Sequence, residues 1–326
     1  MSSVNTVTRV DSPFFSIVIP VYNREKEIVR ALNSCVNQSF DDFEVVVVDD
    51  ASQDGTRAAV TRLGDPRIVL LTHEKNRGVC PTRNTGIRHS LGKWVLFLDS
   101  DDELLPEGLK TVYKQAVACP NNIERLGFLY RRDDGGVSPN PAPPDCVLDY
   151  ENYVAWLEGL SPSDFFHCTR RRAFAKVMFA ESRAYEGSYL LDFSKEYRTR
   201  MVPEIVALVH TDSPNRDNNI AEPALIKKFL RDAADEGAAV ESILARHGQV
   251  LRKQAPVRYR IFRKMQLLFY FMDGRRWEGS RMAVNYLHSY PACIDGWVIW
   301  LVGLAGPTSL ARVKLWKMKT LTNKRN

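Results

Sequence analysis

The sequence predicts an α/β fold: a mostly parallel sheet flanked by helices, with a helical, basic appendage behind it. Three observations lead there. Short apolar runs rich in branched residues alternate with helical periods from residue 15 to about 130, and long helical patterns take over after Pro214. Charge divides the chain in the same sense. Residues 1–245 hold 29 Lys and Arg against 36 Asp and Glu, net −7, whereas residues 246–326 hold 16 against 3, net +13.

A chain of 326 residues suits two units of ordinary size. With 44% hydrophobic and 26% charged residues it has the balance of a compact protein, which excludes disordered, collagenous and multi-span membrane classes.

In chain order, Phe15–Ile19, Glu44–Val48, Arg67–Leu71, Trp94–Leu98 and Leu126–Tyr130 are the apolar runs expected of a sheet covered on both faces. Ile28, Ala31, Leu32, Cys35 and Val36 follow the spacing of one apolar helix face, and Leu109, Val112, Tyr113, Ala116 and Val117 repeat it. Pro106 stands at the start of that second helix, where a missing N–H costs nothing. The alternation implies right-handed crossovers. Asp133–Asp145, rich in Pro and Gly and without periodicity, reads as a mobile surface loop. Tyr150–Leu160 and Ala173–Val177 read as helices, Phe165–Thr169 and Ile205–Val209 as strands. Glu222–His247, Val257–Met272, Ser280–Leu287 and Thr308–Lys319 are the helical patterns of the tail. The expected division is an N-terminal tail over 1–14, an α/β domain over 15–213, and a helical region over 214–326 that is basic from Arg246.

Six scattered cysteines form no Cys-x-x-Cys pair and no zinc-ligand spacing, so reduced thiols are expected. The first residues lack a signal-peptide pattern, and no apolar run approaches the roughly 20 residues needed to span a bilayer. A cytoplasmic protein, peripheral at the inner face of the membrane, is the expectation. Lys and Arg of the tail are interleaved with Tyr259, Phe262, Leu267, Leu268, Phe269, Tyr270 and Phe271, a composition suited to an anionic membrane surface. The run Trp297–Ala305, with Arg312–Lys319 behind it, fits a shallow contact. A helical core packed on the first domain and a homo-oligomer interface are the competing readings. Nucleic acid is disfavoured because no recognition motif accompanies the charge.

Ligands of open parallel sheets bind beyond the carboxyl ends of the strands, so the residues that follow them carry the functional reading. The first run ends in Pro20-Val21-Tyr22-Asn23, the second in Asp49-Asp50-Ala51-Ser52, and the fourth in Asp99-Ser100-Asp101-Asp102. Clustered carboxylates repel one another unless a cation compensates, and Mg²⁺ or Mn²⁺ would do so while keeping positions open for phosphates. Turn chemistry is the alternative for any one Asp-x-Asp. The buried strand before it and the second pair at Asp49 and Asp50 favour a site built from several strand ends.

SIVIPVYNRE (Ser16–Glu25), VVVVDDASQDGT (Val45–Thr56), NRGVCPTRNTGI (Asn76–Ile87) and VLFLDSDDELLPEGL (Val95–Leu109), in this order and spacing, resemble the family 2 glycosyltransferases of the Rossmann-like GT-A fold. The resemblance covers about residues 14–130, more loosely to 212, and leaves out the tail. It implies an inverting, metal-dependent transfer from a nucleotide-diphosphate sugar, a UDP-sugar, to a glycan or lipid-linked acceptor in polysaccharide assembly. It further implies that Pro20 and Tyr22 line the base, that Glu25 or Glu27 lies near the nucleoside, and that Asp50 accepts from the base edge, with Asp49 either beside it or in a turn. Arg83 would hold phosphate or brace the acidic site, Asp99 would contact ribose beside Ser100, and Asp101 would ligate the metal, with Asp102 less defined.

His210, followed by Thr211-Asp212, stands where related enzymes place a residue near metal or diphosphate, against the alternative of a packed imidazole. The base is expected from a Glu-Asp pair after a Phe-Asp-Glu-like turn. Here Phe179-Ala180-Glu181 precedes Glu186, and Gly187 replaces the second acid. Glu186 is the expected base, with Asp192 as substitute. Arg170-Arg171-Arg172 would meet an anionic acceptor or else form a solvated face. A nucleotidyltransferase lacks support, since PVYNRE occupies the place of its Gly-rich loop. A non-catalytic nucleotide-binding module or assembly partner remains the reading that Gly187 keeps open.

Overall fold

The computed structural model describes residues 12–158, 164–181, 187–211 and 222–322, with side chains as far as Lys317. The first half runs β1 (Phe15–Val21), α1 (Glu27–Val36), β2 (Phe43–Asp49), α2 (Thr56–Leu63), β3 (Ile68–Thr72), α3 (Val79–His89) and β4 (Trp94–Phe97). These four strands pair in parallel in the spatial order β3-β2-β1-β4. The apolar runs serve both faces by alternation. Ile17 and Ile19 of β1 pack with α1, α2 and the later helix α4 (Gly108–Val117), whereas Val18 packs on the opposite face with Ile87 of α3. Helix α3 approaches β1 so closely that a Cβ on Gly86 would overlap a Val18 methyl.

Beyond β4 the sheet is mixed rather than parallel. Short β5 (Glu103–Leu104) precedes α4; β6 (Ile123–Arg132), β7 (Val137–Ser138), β8 (Cys146–Leu148) and α5 (Tyr150–Glu158) follow it. Then come β9 (Phe166–Arg170), a 3-10 turn at Arg171–Ala175, α6 (Gly187–Glu196) and β10 (Arg198–Val209). Strand β9 inserts antiparallel between β4 and β6, so the fifth apolar run does not neighbour β4. The loop expected over 133–145 contains β7, which folds back on β6 around a turn where Gly136 N–H donates to Asp134 Oδ1 at 2.8 Å. Ala173–Val177, expected as a helix, is covered by the 3-10 turn and the residues after it. Strand β10 starts seven residues before the expected Ile205, and Pro203 falls in its register break between Val202 and Ile205.

The tail is α7 (Glu222–Gln254), α8 (Pro256–Met272), α9 (Arg276–Ser289), α10 (Ile294–Ala305) and α11 (Pro307–Thr322). Their apolar faces share a core with Tyr153 and Leu157 of α5 and Leu191 of α6. The aromatics expected at a bilayer interface are largely inside: Phe269 is 2% and Phe271 0% exposed. Their spacing among Lys and Arg reflects helix amphipathicity, with the apolar side turned to the core. No helix among the described residues is long and apolar enough to cross a membrane.

Candidate functional site

The chain leaves β1 for β2 and β3 on one side and returns to β4 on the other, which makes the β1/β4 boundary a topological switch point. A cavity of about 540 Å³ opens there, lined by Pro20, Tyr22, Asn23, Arg24, Asp50, Asn76, Gly78, Thr82 and Ser100 and, from α7, Lys228 and Arg231. Pro20, Tyr22, Asp50 and Ser100 are thus brought together as the motifs suggested.

The strand ends are laced to one another. Asn23 N–H donates to Ser52 Oγ at 2.9 Å, and Gln53 N–H to Asn23 Oδ1 at 2.8 Å. Asn23 and Ala51 both adopt positive φ, 51° and 64°, so the backbone bordering the cavity is held in a conformation L-residues seldom take. Asp50 is buried and lines the cavity. Its carboxylate accepts Gly78 N–H at 2.8 Å and Arg77 N–H at 2.9 Å, with His73 Nδ1 at 2.7 Å. Gly78, at φ 95° and ψ 171°, turns the chain into α3 in a conformation only glycine accepts cheaply. Asp49 takes the turn role, accepting Ser52 N–H at 3.1 Å, with Arg57 Nε at 3.7 Å. Neither Glu25 nor Glu27 lines the cavity: Glu25 accepts Gly55 N–H at 3.3 Å, and Glu27 opens α1.

Arg83 is buried on α3 and reaches Asp99 at 2.8 Å. Its guanidinium sits 5.7 and 5.5 Å from the ring centroids of Phe97 and Phe179, which themselves meet edge-to-face, so it braces the acidic segment rather than lining the cavity. Asp101 has Arg24 Nε 4.0 Å from its carboxylate, and its carbonyl accepts from Arg30 at 2.6 Å. Asp102 accepts His210 N–H at 2.9 Å. His210 Nε2 is 2.6 Å from Glu103 Oε1 and its Nδ1 is 3.9 Å from Asp133 Oδ2, so the ring is held between two carboxylates. Among the described residues no three His, Cys, Asp or Glu side chains are grouped to hold a metal.

Glu186 lies outside the described residues. Asp192 is unsuited to act as base, because it sits on α6 facing α7, where Arg246 donates to it and His247 Nε2 lies at 2.9 Å. Burial works to raise its pKa, but the bonds from His247 and Arg246 prevail and hold the carboxyl below the ordinary range. Glu181 serves the scaffold in the same way. It accepts from Asn84 at 3.0 Å and from Arg77 and Arg88 at 3.3 Å, and these partners outweigh burial to lower its pKa. The arginine triplet is consumed by the fold: Arg170 and Arg171 donate to the carbonyls of Ile123 and Gly92, and Arg172 grips Glu124 in a bidentate pair.

The motifs missed Arg24, Asn76, Thr82, Lys228 and Arg231. The first three lie inside or beside the quoted segments and were within reach of sequence reading. Lys228 and Arg231 carried no local signal, since only folding brings α7 to the cavity.

Residues 16–175 match the profile described as Glycosyl transferase family 2. Over 111 residues the chain is 42% identical to the succinoglycan biosynthesis protein ExoO of Rhizobium meliloti, a match covering 34% of this chain and 32% of that protein. It is 40% identical over 121 residues to the UDP-Glc:α-D-GlcNAc-diphosphoundecaprenol β-1,3-glucosyltransferase WfgD of Escherichia coli, covering 37% and 46%. The chain thus spans about a third to a half of the length of such curated relatives. Among solved structures, residues 1–349 of S. aureus TarS in complex with UDP-GlcNAc superpose with a TM-score of 0.55 at 19% identity, over 85% of this chain and 92% of that one. That likeness establishes the fold, a GT-A-like sheet flanked by helices with helices following it. By sequence profile, residues 16–175 of this chain belong to glycosyl transferase family 2.

Proposed function

We propose that the protein is an inverting glycosyltransferase that moves a sugar from a nucleotide-diphosphate donor, a UDP-sugar, to a glycan or lipid-linked acceptor in polysaccharide assembly. One observation carries this reading: the switch-point cavity brings the apolar and aromatic Pro20 and Tyr22 together with the cations Arg24, Lys228 and Arg231. A planar base suits the first and a diphosphate the second. In this reading residues 15–213 bind the donor, while residues 214–326 lend two cations to its cleft and meet an anionic membrane surface. A relative named for a diphosphoundecaprenol-linked substrate supports the acceptor class.

Glu186, directly before α6, is the proposed base for the attacking hydroxyl. Mn²⁺ or Mg²⁺ is the proposed cofactor, with Asp101 as its protein ligand. Asp101 alone would suit an ion that takes one or two carboxylates and completes its shell with substrate phosphates. Such an ion would neutralise charge developing on the departing diphosphate.

Titration calorimetry with UDP and GDP, with and without Mn²⁺, followed by an assay of UDP release from UDP-sugars with an undecaprenyl-diphosphate-linked glycan, tests the proposal. Absence of nucleotide binding under every condition sinks it. Binding without release, with wild type no faster than Glu186→Gln, makes the protein a non-catalytic nucleotide module instead.

A further inference from the structure

Helix α10 is apolar on both sides. Its inner face is seated by small residues: a Cβ on Gly303 would overlap the Phe271 ring, and one on Gly296 would press on Tyr286 at 2.9 Å. Its outer face carries Ile294, Trp297, Leu301 and Leu304, each between 41% and 76% exposed. At helical spacing these four fall within about 80° of one another, a single stripe three turns long. An outward stripe of this kind on a closely packed helix is not core, and isolated surface apolar residues do not line up in this way.

Beside the stripe, between α8, α10 and α11, lies an apolar cavity of about 520 Å³. Val298, the helical neighbour of Trp297 and Leu301, forms part of its wall, together with Leu268 and Trp316. Trp316 is itself 63% exposed. Lys264, Lys314 and Lys317 also line it, against the single carboxylate of Asp295, which Lys264 holds at 2.9 Å and Lys317 also contacts. The local balance is cationic, in a segment where residues 246–326 carry net +13. Aromatic and aliphatic side chains set among lysines match the boundary between acyl chains and anionic headgroups.

We propose that the α10 stripe, with the lysine-lined cavity beside it, is the surface by which this protein docks on a bilayer containing anionic phospholipid. The proposal deepens the reading of a membrane-bound acceptor, because it names the face that would hold the cleft at the membrane. Its occupant is a lipid surface; a second copy of the chain would offer the same lysines to each other and gain no charge complementarity.

Co-sedimentation of the full chain with phosphatidylcholine vesicles and with vesicles of 70% phosphatidylcholine and roughly 30% phosphatidylglycerol, at low and physiological salt, tests it. Wild type is expected to bind the anionic vesicles, more weakly as salt rises. The Ile294→Ser/Leu301→Ser variant should lose at least about tenfold in partitioning while keeping its melting temperature, since these side chains are 76% and 62% exposed. Independently, brominated phosphatidylcholine in the anionic vesicles should quench wild-type tryptophan emission, and Trp297→Phe should lose much of that quench. Failure of wild type to sediment, equal sedimentation of the double variant, or a concentration-dependent dimer abolished by the same substitutions each overturns the proposal. UDP titration on the same samples separates the two readings: nucleotide binding without vesicle binding removes only the docking face, and the reverse removes only the donor site.

Discussion

The Gly78 amide donates to the Asp50 carboxylate at 2.8 Å, so the end of β2 dictates how the chain enters α3. Arg77 N–H shares the same carboxylate, and the turn it holds forms one rim of the cavity. Asp50→Asn removes the charge and confronts two backbone donors with an amide group. We expect destabilisation of about 1–3 kcal/mol together with weakened UDP binding. Thermal melts and calorimetry check this; unchanged values in both would mean the turn does not depend on Asp50.

Arg83 lies against the Phe97 and Phe179 rings and is paired with Asp99, a geometry that suits a planar guanidinium better than an ammonium. Arg83→Lys is therefore expected to lower UDP-sugar turnover by more than tenfold (roughly 1.4 kcal/mol or more) with a near-normal melt. Turnover within twofold of wild type would show that charge alone suffices there.

Asp101 and His210 should separate under metal titration. Asp101→Asn is expected to abolish the gain in UDP affinity that Mn²⁺ brings, whereas His210→Ala, which loses the contacts with Glu103 and Asp133, should retain it. Calorimetry with and without EDTA reads the difference. A His210 variant that has lost its Mn²⁺ response would restore His210 as a ligand.

At the contact of α3 with β1, Gly86→Ala places a methyl against Val18 in a packed core. The expected cost is about 1–3 kcal/mol, recovered in part by adding Val18→Ala. Additive losses in denaturant unfolding would rule out this steric coupling.

The folded pKa of Asp192 lies below its ordinary value of 3.8, because the bonds from His247 and Arg246 prevail over burial. The stabilisation is present above about pH 4 and is lost as pH falls through the folded value. Melts between pH 6 and 3 should show a shallower acid decline in Asp192→Asn than in wild type. Parallel curves would remove the ion pair from the stability of the α6–α7 contact.

By itself the sequence determined the α/β half of the fold and much of one rim of its cavity. The strands β1, β2 and β4 are buried on both faces, so their side chains are apolar but for the paired Ser16 and Glu44 and the terminal Asp49, and the polar residues that follow them stand next to them in the chain. Pro20, Tyr22, Asp50 and Ser100 were legible for that reason. Tertiary structure decided what depends on residues distant in sequence. Lys228 and Arg231 reach the cavity only because α7 packs on α5 and α6, and Arg170–Arg172, basic in sequence, are spent on carbonyls and Glu124. The tail shows the same limit. Periodicity marked an amphipathic helix around Phe269 and Phe271, but only packing determines which apolar side is covered, and it buried those rings while leaving the outer stripe of α10 open.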